Sequence, residues 1–223
     1  MEQKKMEIRS FMGGKCQPML REAVEEGKES RTISGYAIVF GVESRILADY
    51  WDNYREIIEP GAITEERLKD MDIKMTMYHN REKILARSNK GEGTLRLSVD
   101  EVGVHYEFDA PNTVDGDTAL ELVKRGDLSG SSFMFWTDEK SGVSYEKRSD
   151  GIMLRRVKTI GMIYDMTIAA DSKEFVETLL NLSAESHILA ETFISCDEKL
   201  SSHFANRSTE ATEALVCYLA YIN

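Results

Sequence analysis

Four histidines are the side chains of this 223-residue chain best suited to proton transfer near neutral pH, and their surroundings differ. His105 alternates with Glu107 and Asp109 on the polar side of an expected strand, and reads as a solvated surface residue. His187 and His203 lie among serines and glutamates and read the same way. His79 follows Ile73, Met75 and Met77 at every second position. That alternation places it at the end of a strand, on the apolar face, ahead of an expected polar loop at Asn80-Arg81-Glu82. Strand ends that meet loops are where scaffolds display reactive groups. A histidine satisfied inside the core is the competing reading.

A serine hydroxyl is hardly ionised at neutral pH and becomes a nucleophile only beside a base. The run Gly126-Asp127-Leu128-Ser129-Gly130-Ser131-Ser132-Phe133-Met134-Phe135 sets small residues immediately before serines and a strand. A turn of that kind can present a hydroxyl and leave backbone N–H groups facing a developing oxyanion. A Gly/Ser turn that merely joins a helix to a strand is the plainer reading of the same residues. No G-x-S-x-G elbow, phosphate-binding loop or paired-histidine zinc motif occurs. Cys16, Cys196 and Cys217 are far apart and odd in number, which argues against a disulfide framework and a cysteine-built zinc site, and fits a reducing compartment.

The elements that must position these groups are mostly strands. A short strand is expected at 7–11, then an exposed linker. Ile33-Ser34-Gly35-Tyr36-Ala37-Ile38-Val39-Phe40 is β-branched and aromatic and reads as a buried strand. Glu56-Ile57-Ile58-Glu59 is a second strand, stopped by Pro60-Gly61, and Thr64 caps a short helix after it. Leu95, Leu97 and Val99 face Val104, Tyr106 and Phe108 across a hairpin that turns at 100–103. Residues 117–125 have helical spacing with Gly126 as the stop. Strands follow at 131–136 and 160–169, with a hairpin turning at Asp150-Gly151 between them. From Ser172 onward apolar residues recur at helical intervals.

Hydrophobic residues make up 42% and charged residues 30% of the chain, as in ordinary globular proteins. The formal net charge of −11 disfavours nucleic-acid partners, and no apolar run is long enough for a membrane-spanning helix. The N-terminus has basic residues but no apolar stretch behind them, so no secretory signal is expected. Three segments are expected: an N-terminal strand and flexible linker at 1–31, a β-rich domain at 32–171, and a helical C-terminal extension at 172–223.

Taken in order, these segments resemble the prohead protease family of tailed phages, related in fold to the herpesvirus maturation protease assemblin. The strand at 33–40 is similar to the family's I-x-G-Y-A-x-V-F, and Glu56-Ile57-Ile58-Glu59-Pro60-Gly61-Ala62-Ile63 to its E-x-I-x-P-G-A-F. Tyr78-His79-Asn80 resembles the segment of the catalytic histidine. Gly126-x-Leu128-x-Gly130-x-Ser132-Phe133-x-Phe135 is similar to G-x-L-x-G-x-S-F-x-F, whose serine is the nucleophile, and this selects Ser132 over Ser129 and Ser131. Ile163-Tyr164-Asp165-Met166-Thr167 resembles the closing L-x-E-V-S, with an aspartate where glutamate is commoner.

The resemblance implies an α+β fold: an assemblin-like β-barrel core, a few surrounding helices and the helical tail. It implies a serine endopeptidase with Ser132 as nucleophile, His79 as base and Asp165 as the third member, Glu139 and His105 being substitutes for that last role. No cofactor or metal is implied. Partners would be the phage major capsid protein and scaffold, with self-association as a dimer or higher assembly. The location would be the host cytoplasm inside the assembling prohead, or the bacterial cytoplasm if prophage-encoded. Two rivals remain: a catalytically inactive barrel used as an assembly component, and a metal hydrolase built on His79 and nearby carboxylates.

Overall fold

Alternation of apolar and polar residues writes most of the strands, and the computed structural model describes residues 6–12, 14–22, 30–48 and 53–170. In chain order the elements are β1 (Glu7–Met12), a 3-10 turn (Gly14–Cys16), β2 (Met19–Leu20), β3 (Thr32–Val39), β4 (Leu47–Ala48), β5 (Asn53–Ile58) and α1 (Glu65–Lys69). There follow β6 (Asp72–Met77), β7 (Asn80–Asn89), β8 (Glu92–Gly93), β9 (Leu95–Val99) and β10 (Gly103–Asp109). The last are α2 (Val114–Arg125), β11 (Gly130–Trp136), β12 (Val143–Lys147), β13 (Met153–Val157) and β14 (Met162–Ala169). The expected helical extension at 172–223 lies outside the described residues.

The strands form three ladders, ordered β1-β11-β14-β6-β7-β8, β2-β3-β10-β9 and β12-β13-β5-β4. The fold is thus strand-rich α+β, but the expected closed barrel is not what the pairing forms among the described residues. Among the described residues the ladders end at β1 and β8, β2 and β9, and β12 and β4. Closure comes from side chains instead. Ile33 and Ile38 of β3, Phe108 of β10, Phe133 of β11, Met166 of β14 and Val157 of β13 all belong to one buried cluster. Each large side chain so buried contributes about 1.5–3 kcal/mol.

Both helices are set by their caps. The Thr64 hydroxyl accepts from the Arg67 N–H at 3.4 Å, and Glu65 and Glu66 occupy the first turn. Thr113 accepts from the Gly116 N–H at 3.2 Å and starts α2 at Val114, three residues before the expected Asp117. The cap outweighs the poor helix propensity of Gly116. Gly126, with φ of 79°, ends the helix as expected.

Gly35 has a steric reason. A Cβ there would sit 2.7 Å from the Tyr106 hydroxyl oxygen, so only glycine lets that ring cross β3. The Tyr106 hydroxyl lies 2.9 Å from Ser131 Oγ, and Ser131 in turn donates to the Cys16 carbonyl at 2.7 Å. Ser131 is thereby committed to the core side of β11.

Charges are buried at one end of β5. Arg9 Nε donates to Glu56 at 2.7 Å, and Arg155 pairs with Glu56, Glu7 and Glu139. Glu56 and Arg155 are each 3% exposed. Burial alone would raise the Glu56 pKa, but the guanidinium groups of Arg9 and Arg155 outweigh it and hold the carboxyl below its ordinary value. The folded value is depressed, so this carboxylate stabilises the fold fully above the ordinary glutamate value of about 4.3, and that stabilisation is lost as pH falls through the folded value. Urea unfolding followed against pH should show that acid loss. Glu56→Gln should cost about 3–5 kcal/mol at neutral pH by stranding its cations, and should flatten the acid limb.

Candidate active site

Three adjacent strands and one turn build the site. On β11 and β14, Ser132 pairs with Thr167 and Met134 pairs with Asp165. Ser132, Thr167 and Asp165 therefore share one face, opposite the face on which Phe133, Met166 and Ile168 enter the core. Diagonal partners on neighbouring antiparallel strands lie roughly 7–8 Å apart. That gap is what an imidazole with a hydrogen bond at each end can span.

The imidazole comes from the turn between β6 and β7. Met77 pairs with Asn80, which leaves Tyr78 and His79 as a two-residue hairpin loop, each with φ of 56°. Positive φ at both central residues is the requirement of a type I′ turn, which matches the twist of the flanking strands. Tyrosine and histidine are costly choices there, at about 1–3 kcal/mol each. The reversal corrects two expectations. His79 does not continue the apolar face of Ile73, Met75 and Met77, because alternation stops at Met77 and the left-handed pair turns the ring to the opposite side. Asn80-Arg81-Glu82 is not a loop but the start of β7.

Placed there, His79 lies between the other two groups. Its Nε2 is 2.8 Å from Ser132 Oγ and its Nδ1 is 2.5 Å from Asp165 Oδ1. The shorter aspartate reaches the ring without difficulty. All three are buried: Ser132 is 2% and Asp165 4% exposed, and the His79 side chain 8%. The Ser132 hydroxyl also meets the Arg9 carbonyl of β1 at 2.9 Å.

Thr167 is a positioning residue that the sequence reading missed. The His79 backbone N–H donates to its Oγ1 at 3.0 Å, and the Thr167 hydroxyl donates to the Thr76 carbonyl at 2.9 Å. One side chain thus ties the strained turn to β14 and β6. Its sequence signal was a polar residue two positions from Asp165 in a strand otherwise built of Ile163, Met166 and Ile168.

Other candidates lie elsewhere. His105 packs edge-on against Tyr36, with ring centroids 5.1 Å apart, and burial chiefly, with nearby Arg21, lowers its pKa. Glu139 pairs with Arg155 and accepts from the Tyr145 hydroxyl. Among the described residues no group of three or more His, Cys, Asp or Glu side chains is placed to hold a metal ion, so the metal-hydrolase alternative lacks a ligand set there. No helix among them is long and apolar enough to cross a membrane.

A hydroxyl, an imidazole and a carboxylate bonded in that order form the arrangement by which serine hydrolases are recognised on unrelated folds. Comparison with protein families matches residues 18–172 to the caudovirus prohead serine protease family. The chain belongs to that family. Neither a curated protein nor a solved structure gives a match.

Substitutions at two positions separate the roles. Asp165→Asn should lower turnover on the order of 10⁴-fold, because an amide does not fix the Nδ1–H tautomer. Thr167→Val should lower turnover by up to about 10²-fold through misplacement of the ring, while Thr167→Ser, which keeps the hydroxyl, should restore it. Equal loss in both Thr167 variants would show that the hydroxyl does not position the turn.

Proposed function

We propose that this protein is a serine endopeptidase that cleaves the capsid and scaffold proteins of a tailed phage, and its own chain, as the shell matures. The observation that carries the reading is the hydrogen-bonded series from Ser132 through His79 to Asp165. In the reaction, Ser132 Oγ adds to a peptide carbonyl carbon while its proton passes to His79 Nε2. The imidazolium then gives that proton to the amine as the C–N bond breaks. The acyl group stays on Oγ until water, deprotonated by the same imidazole, removes it. Asp165 accepts the Nδ1–H throughout, which holds Nε2 free to face the serine and stabilises the charged ring. Proton transfer of this kind contributes about 10²–10⁴-fold.

Membership of the prohead protease family supports the substrate class. Self-association, a place in the host cytoplasm within the assembling prohead, and self-cleavage are parts of the same proposal. The rival reading, an inactive assembly component, gives no reason for a buried aspartate and serine to hold a histidine between them on a strained turn.

Co-expression with the phage's major capsid protein, followed by mass measurement of the products, tests the proposal. Discrete capsid fragments are expected with the wild-type chain and none with Ser132→Ala, whose thermal midpoint should match the wild type. Fragments produced equally by Ser132→Ala would overturn it.

A further inference from the structure

β1 holds an odd position for a strand beside a reactive serine. Among the described residues it is the edge of the six-stranded sheet, paired only with β11, antiparallel, with Ser10 opposite Ser132. The Ser132 hydroxyl donates to the Arg9 carbonyl at 2.9 Å, although His79 Nε2 lies at 2.8 Å from the same oxygen. With Nε2 bare, one hydroxyl hydrogen has two acceptors within reach, and a bond to β1 withholds it from the base. Ser132 is 2% exposed, with β1 paired along the β11 edge beside it.

What β1 occupies is a peptide-shaped site. Along an antiparallel pair, every second residue of β11 turns its N–H and C=O toward the neighbour, and those groups are consumed by β1. If β1 leaves, they become an open sheet edge, which binds extended peptides by main-chain hydrogen bonds. The edge position means that β1 can leave without breaking any other ladder. Its anchor is ionic and apolar: Arg9 donates to Glu56 at 2.7 and 2.9 Å and to Glu7 at 2.8 Å, Arg155 bridges Glu7 and Glu56, and Phe11 stacks on Phe133 with ring centroids 6.2 Å apart. β1 also precedes residues 18–172, so the family match assigns it no role.

We propose that β1 is an internal strand seated in the substrate's place. Its departure opens the edge of β11 to an extended peptide running antiparallel to it, with the scissile carbonyl where the Arg9 carbonyl now lies. The enzyme is latent while the strand is docked. This rests on the hydrolase reading above and adds how the substrate gains access and in what form it is held.

A reversible lock tests it. Ile8 and Met134 are direct partners across β1 and β11. Antiparallel partners have Cα separations of about 4.5–5.5 Å, which a disulfide can bridge. The double variant Ile8→Cys/Met134→Cys, with the link verified by peptide mass, is treated with a serine-directed fluorophosphonate in its oxidised and reduced forms. Labelling of Ser132 should be at least tenfold slower when oxidised and should recover on reduction of the same sample, which also shows that the fold survived. Ile8→Cys alone should label at one rate in both redox states. Equal labelling of the oxidised and reduced double variant would overturn the strap and leave the serine hydrolase standing. Absence of labelling at Ser132 in every form, including Arg9→Ala, which removes the ionic anchor of β1, would instead remove the hydrolase reading and this inference with it.

Discussion

The site depends on a backbone constraint more than on any side chain: two consecutive left-handed residues, Tyr78 and His79, at the tip of the β6–β7 hairpin. A strand continued for two more residues would have sent the imidazole into the core beside Met77. The reversal sends it to the other face, where the pairing of β11 with β14 has already set a hydroxyl and a carboxylate on a diagonal. Conformations of this cost persist when their surroundings hold them. Here the holding comes from the Thr167 hydroxyl on the His79 N–H and from the ring's own bonds at both nitrogens.

Much of the framework was legible because it rests on local rules. Ile33 to Phe40, the hairpin of β9 and β10, the caps and stops of the helices and the strand character of 131–136 follow from alternation, threonine caps and Gly126. The order of five short motifs pointed to Ser132 rather than Ser131. In the structure Ser131 is tied to Tyr106 and Cys16 on the core side, and its neighbour Ser132 faces the histidine.

What was not legible is nonlocal or lacks its usual marker. Type I′ turns announce themselves with Asn-Gly or Asp-Gly, and Tyr-His does not, so alternation was carried one step too far and Asn80-Arg81-Glu82, the start of β7, was read as a loop. Barrel closure was an implication of the family resemblance. Among the described residues the ladders end at β1 and β8, β2 and β9, and β12 and β4, and side-chain packing joins the three sheets. The ion network is likewise invisible in sequence, because Glu7, Arg9, Glu56, Glu139 and Arg155 come from four separated segments. That network gives β1 its anchor, and so links the charge buried at one end of β5 to the exposure of a serine on β11.

The measurement that bears most directly on the central claim is the tautomer of neutral His79, read from long-range proton–nitrogen correlations on imidazole-labelled protein. The account predicts a proton on Nδ1, shared with Asp165, and a bare Nε2 turned toward Ser132. A neutral ring protonated on Nε2 in the wild-type chain would contradict it, since the serine would then have no base.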